Sequence, residues 1–188
     1  MNRVFWSSTA ILLAVAIHIS YVLFMPAVLF QKKLFAATDG NPDNMFFVMT
    51  PEKQVLLIPT ATADDVVGLC KFDLGAGKLI LSAQLPKTYW TLSIYTQSGR
   101  QVYALDDVQA GSSSFTVDLS RAKTMLQQLL AKNDGEDSSQ IENLGWKAET
   151  TEQRGLAVVW IPLADALMRP EIENTIKASR CEPKAAAG

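Results

Sequence analysis

Hydrophobic and polar positions divide this chain into two unlike parts. Across residues 4–30 there is no Asp, Glu, Lys or Arg; Arg3 closes one end of the run and Lys32-Lys33 the other. As a helix the run would be roughly 40 Å long at ~1.5 Å per residue, and a bilayer core needs only about 20 residues. From residue 46 the pattern changes to short apolar runs, many of them alternating with polar residues. The expectation is a transmembrane anchor over 4–34, a linker over 35–45, a mainly β domain over 46–183 and a disordered tail over 184–188.

Within the domain the period is mostly two, as for half-buried strands. Cys70, Phe72 and Leu74 alternate with Lys71 and Asp73, and Leu79, Leu81 and Ala83 alternate after Gly75-Ala76-Gly77-Lys78. These read as a hairpin about that turn. Trp90, Leu92 and Ile94 face one way; Thr91, Ser93 and Tyr95 face the other. Gln97-Ser98-Gly99-Arg100 turns the chain and 101–105 returns; Phe115, Val117 and Leu119 point inward on a further strand. The runs 46–49 and 54–58 read as edge strands limited by Pro51 and Pro59.

Helical signals are fewer. Ser120 reads as an N-cap for 121–131, where Ala122, Met125, Leu126, Leu129 and Leu130 form a stripe. An acidic loop follows over 133–140, and 156–161 is apolar throughout, as in a strand buried on both faces. Pro170 starts a last helix docked by Ile172 and Ile176, with Glu171 and Glu173 early and Lys177 and Arg180 late. The fold class expected is therefore an antiparallel β-sandwich or meander with one or two packing helices, behind one transmembrane helix.

A cleaved signal peptide would have an apolar region of about 7–15 residues and a small-residue cleavage site. This run is longer, contains Pro26, and carries Lys32-Lys33 where cleavage would fall. No N-terminal Cys suggests a lipoprotein, and no Gly-then-Glu pattern suggests a pilin-like leader. Flanking charge is close to balanced, so Arg3 against Lys32 and Lys33 does not orient the anchor. His18 lies inside the run, and a neutral imidazole facing a partner helix or carbonyl is the simple reading. Cys70 and Cys181 form an even, widely separated pair without C-x-x-C spacing. That fits a disulfide in an oxidising compartment; two unrelated buried thiols are the alternative.

Charge and composition exclude more than they select. Net charge is −2 with no basic patch in the domain, which argues against a nucleic-acid partner. His18 is the one histidine, so the domain lacks the usual general base and any His-based metal site. No G-x-S-x-G, Walker or G-x-G-x-x-G pattern occurs. Ser120-Arg121-Ala122-Lys123 matches S-x-x-K, but its K-T-G and S-D-N companions are missing. Asp64-Asp65 and Asp106-Asp107 offer carboxylate pairs for a cation or for acid–base work; turn formation and solvation are the simpler reading. Tyr95, Arg100 and Tyr103 share one hairpin and form a candidate groove for an apolar or anionic ligand. Neither a cofactor nor a metal is expected.

The strings Gly68-Leu69-Cys70-Lys71-Phe72-Asp73-Leu74 and Tyr89-Trp90-Thr91-Leu92-Ser93-Ile94-Tyr95 resemble the bacterial domain-of-unknown-function family 1254. So does the late Gly155-Leu156-Ala157-Val158-Val159-Trp160 with Cys181; where relatives carry an Arg after that strand, Trp160 or Ile161 stands here. The resemblance covers about 60–183 and implies a mainly β domain in the bacterial envelope, with no established activity. It strengthens the Cys70–Cys181 bridge and a periplasmic domain on a single-pass inner-membrane anchor. Larger relatives join such a domain to a second β-rich one, which implies a companion membrane protein that supplies it. The function expected is a non-catalytic binding module in the bilayer. A carboxylate- or metal-dependent envelope enzyme is the alternative.

Overall fold

The structure, a computed structural model, describes residues 2–58, 62, 64–122 and 145–184. Helix α1 (Asn2–Thr38) runs through the whole apolar stretch and on past Lys32-Lys33. Its segment Arg3–Thr38 is long and apolar enough to cross a membrane. At ~1.5 Å per residue α1 is about 55 Å long, well beyond a hydrocarbon core of ~30 Å. The first four positions of the expected 35–45 linker are therefore helix, and the chain turns only after Thr38. Asn44, at φ 57, then sets the first strand: its backbone N–H donates to the Lys71 carbonyl, while its side chain exchanges two hydrogen bonds with the Asp73 backbone.

There follow β1 (Phe46–Val48), α2 (Pro51–Leu57), β2 (Asp65–Asp73), β3 (Leu79–Gln84), β4 (Thr91–Thr96) and β5 (Gln101–Asp106). Then come α3 (Asp107–Ala110), β6 (Ser114–Arg121), β7 (Trp146–Thr150), β8 (Arg154–Pro162), α4 (Arg169–Ala178) and β9 (Arg180–Pro183). The strands make two sheets, ordered β1-β2-β8-β4-β5 and β7-β6-β3-β9. Their facing sides bury Phe72, Leu92, Ile94 and Val159 against Leu81, Phe115, Val117 and Leu119. Trp90 is fully buried there, its ring 5.3 Å from that of Phe115. Helix α4 closes one side with Ile172 and Ile176. Gly68 on β2 makes room for it, since a Cβ at that position would stand 2.5 Å from Ile176 Cγ2.

Strands β2 and β8 pair along their whole length and are buried on both faces. The reason is a second core on the outer side of the five-stranded sheet. Val67, Leu69, Leu156 and Val158 pack there under Leu34 and Ala37 of α1 and under Met49.

Several expectations need correction. The strands flanking Gly75-Ala76-Gly77 are not a hairpin: β2 pairs with β1 and β8, and β3 pairs with β6 and β9. A single 3-10 turn, Leu74–Ala76, carries the chain from one sheet to the other. The arrangement is not a simple antiparallel meander either, because β6 and β7 run parallel. Residues 54–57 are helical, with Pro51 in the first turn of α2. Ser120 caps no helix; it lies in β6 opposite Glu149. Lys123, most of the 121–131 helix and the 133–140 loop lie outside the described residues. The β4–β5 hairpin, the doubly buried strand and the helix beginning at Pro170 are as expected.

Candidate functional site

Register places the functional candidates at two opposite ends of the five-stranded sheet. One end holds the close of β2, the start of β8 and the β4–β5 turn. Here α1 lands. Phe30 lies 6.2 Å, ring to ring, from Tyr95, and Leu34, Ala37 and Thr38 are buried. Thr38 turns its hydroxyl back to the Leu34 carbonyl at 2.7 Å, so the buried polar group is satisfied within the helix. Phe30, Leu34 and Ala37 recur at helical spacing, which is how a stripe meets a flat sheet.

Charged groups ring the same end. Lys71 pairs with Asp43 at 2.9 Å, and Arg154 Nε donates to Asp73 Oδ2 at 2.7 Å. Asp73 also accepts from Gln153 Nε2 and from the Gly75 N–H. The Gln153 amide, then Arg154, then Gly75 hold its carboxyl down at about 2, against an ordinary 3.8. Asp73 in turn raises Arg154 above its usual value. Glu152 accepts from the Ser98 N–H at 3.0 Å and from the Ser98 hydroxyl, and Arg100 donates to Thr151 at 2.8 Å. The 151–154 segment is thereby clamped to the β4–β5 turn. A cavity of about 120 Å³ of mixed lining lies between these groups and α1, with Leu34 and Phe72 beside Gln31, Thr38, Asp43, Lys71 and Arg154.

The other end of the sheet holds Asp65 opposite Pro162 and, two residues further in along the strands, Thr91 between Trp160 and Asp106. Large apolar side chains are exposed around it. Val108 of α3 is 78% exposed and Leu167, just after β8, 86%. Tyr89 is also exposed and stacks edge-on against Trp160 at 6.0 Å. Trp146, at the start of β7, is exposed beside Ala110 and Phe115 in an open depression.

The groove expected from Tyr95, Arg100 and Tyr103 does not form. Tyr95 lies on the outer face beneath α1, whereas Tyr103 sits opposite Ile94 and packs against the inner core. Burial raises the Tyr103 phenol above its ordinary value. Arg100 serves the clamp instead. The carboxylate pairs share one end but not one site. Asp65 and Asp106 are separated by three strand intervals of ~4.8 Å, roughly 14 Å sideways, and by a further two residues along the strands, too far to share an ion. Asp65 accepts from Thr62, and Asp106 caps α3 by accepting from the Gln109 N–H. Among the described residues no cluster of three or more His, Cys, Asp or Glu is placed to hold a metal. His18 lies midway along α1.

Cys70 on β2 and Cys181 on β9 lie at disulfide distance, with Cα atoms 6.5 Å apart. The bridge therefore staples one sheet to the other. The docking residues Phe30, Leu34 and Ala37 escaped the sequence reading, although their stripe continues past the lysines and signals a face that must be covered.

No family model matches the sequence, and no curated protein does. Several solved structures are similar, these two among them. The VPA0106 protein of Vibrio parahaemolyticus aligns over 87% of this chain and 40% of its own, with TM-score 0.55 and 13% identity. An uncharacterised protein of Burkholderia cenocepacia aligns over 79% and 38%, with TM-score 0.43 and 12% identity. The chain thus spans less than half the length of either. The Vibrio likeness is one of fold.

Proposed function

We propose that this protein is a single-pass, membrane-anchored envelope module of the 1254 type. In this reading its periplasmic β domain binds a companion membrane protein and catalyses nothing itself. One observation carries the proposal: 87% of this chain aligns in fold with only 40% of a longer Vibrio chain. A domain that occurs as part of a larger body has a surface made to be covered. The exposed Tyr89, Val108, Trp146 and Leu167 offer that surface, at the end of the sheet away from α1. Scattered surface apolar residues need no explanation, but four large ones exposed toward one end of the domain suit a partner.

Two further features support the reading. The bridge between Cys70 and Cys181 suits an oxidising compartment, hence the periplasmic side of the anchor. Anchoring both partners in one membrane raises their effective concentration, so a modest interface suffices. An enzyme built on the aspartate pairs has less behind it, since those pairs stand three strands apart.

The test is site-directed photocrosslinking of the full-length protein in its native membranes. A crosslinker at Val108 or Leu167 is expected to capture one second membrane protein; one at Lys78, exposed elsewhere, is not. Recovery of monomer alone from all three positions overturns the pairing.

A further inference from the structure

A second binding feature lies beside the seam. Phe30, Ile58, Leu69, Tyr95, Leu156 and Val158 enclose a cleft of about 140 Å³ between α1 and the outer face of the sheet. Among the described residues no charged side chain lines it, and Tyr95 is the one lining residue whose side chain carries a polar group. Apolar cavities of roughly this size stay dry and take up small hydrocarbons. The cleft is far too slender for a helix about 10 Å across, so a protein segment of that kind does not fit it.

Its position names the occupant. Phe30 forms one wall and is also the last apolar residue before Lys32-Lys33. One helix face leads there through Leu23, Pro26 and Ala27 at helical spacing, and Leu23 is 68% exposed. If α1 spans the bilayer, that face is bathed in lipid tails up to the mouth of the cleft. We propose that the cleft takes the end of one acyl chain from a bilayer phospholipid. The chain passes from the leaflet into the domain along α1 without crossing water. This inference rests on the anchor reading given above. The lipid would fill the angle between helix and sheet and hold the domain at one tilt to the membrane.

The experiment reconstitutes the full-length protein in vesicles of phosphatidylethanolamine and phosphatidylglycerol. These carry a trace of phosphatidylcholine with a diazirine at the end of one acyl chain. After illumination, adducts are mapped by peptide mass spectrometry. Adducts are expected on the apolar half of α1 and also on Tyr95, Leu156 or Val158. Ile58→Trp, which fills the cleft from its rim, is expected to abolish the second set and keep the first. Val158→Phe does the same from the floor, should the first variant misfold. Adducts on α1 alone in the unaltered protein overturn the acyl-chain site and leave the anchor standing. Absence of adducts from α1 as well overturns both.

Discussion

Phe30 of α1 lies directly over Gly99 in the β4–β5 turn: a Cβ on Gly99 would stand 2.8 Å from the Phe30 ring. Gly99 also sits at φ +88, where L side chains are strained. Gly99→Ala should therefore cost more than its backbone strain of about 1–2 kcal/mol, because Phe30 must also move. Gly111, at φ +62 with nothing within 4 Å, supplies the comparison. Gly111→Ala should lower the midpoint of thermal unfolding by the backbone term only. Limited proteolysis between residues 33 and 45 should speed up for Gly99→Ala and not for Gly111→Ala. Equal behaviour of the two variants would refute the contact.

Gly68 and Ile176 form a similar lock between β2 and α4. With 2.5 Å between a built Cβ and Ile176 Cγ2, Gly68→Ala overpacks the site. Overpacking typically costs about 1–3 kcal/mol, and Ile→Ala in a core about 2–5. The two changes relieve each other, so the double variant should lose less stability than the sum of the singles. Urea denaturation of all three variants measures the coupling, and strict additivity would show that α4 does not rest on Gly68.

Which parts of this architecture were legible beforehand follows from what periodicity encodes. Alternation reports which side chains share a face, and Leu92, Ile94, Phe115, Val117 and Leu119 are buried as their spacing requires. It does not report which strands pair. Cys70–Leu74 and Leu79–Ala83 each alternate correctly, yet their strands enter different sheets, because Gly75-Ala76-Gly77 forms a crossing rather than a hairpin turn. Residues 54–58 look like a strand in the sequence because the apolar run of four at 55–58 fits either strand or helix. Pro51 followed by Glu52 was the helix signal there, and Glu52 is held below the usual carboxylate range by its backbone N–H and by Thr50. The partners of Tyr95 lay hidden because α1 reaches it from 65 residues upstream in sequence.

The Cys70–Cys181 bridge closes a separation of 111 residues. A loop of that length implies roughly 4–5 kcal/mol in the chain-entropy model. Adding a reductant should lower the unfolding free energy by that amount, seen as a lower denaturant midpoint, and Cys181→Ala should match the reduced protein. Mass spectrometry of membrane-extracted protein under non-reducing conditions should show no alkylatable thiol. Two labelled thiols would remove the bridge and weaken the case for an oxidising compartment together.

Asp73 gives the domain a definite acid response. Its folded value of about 2 lies below its unfolded 3.8, so ionised Asp73 favours the folded state. That contribution is complete above about pH 4 and disappears as pH falls through about 2. Unfolding by urea at steps from pH 5 to pH 2 should show the loss. Asp73→Asn keeps the side-chain shape but cannot ionise, so its profile should be flatter across that window. Parallel profiles for the two proteins would show that Gln153, Arg154 and Gly75 do not act on the carboxylate as described.

The last prediction concerns how firmly the anchor is joined to the domain. Leu34 is 6% exposed and packs into the outer core with Leu69, Leu156 and Val158. That core is separate from the one between the sheets. Leu34→Ala should cost about 2–3 kcal/mol, the low end for Leu→Ala, since the cavity opens at an edge that can relax. The loss should be local. Hydrogen exchange should quicken at residues 34–49, including the Asn44 amide bonded to Lys71, while β3 and β6 keep their protection. Leu23→Ala, on the exposed part of the same helix, should leave the domain's exchange unchanged. If Leu34→Ala behaves like Leu23→Ala, then α1 does not dock on the sheet, and the domain hangs from a loose tether instead of standing fixed on its helix.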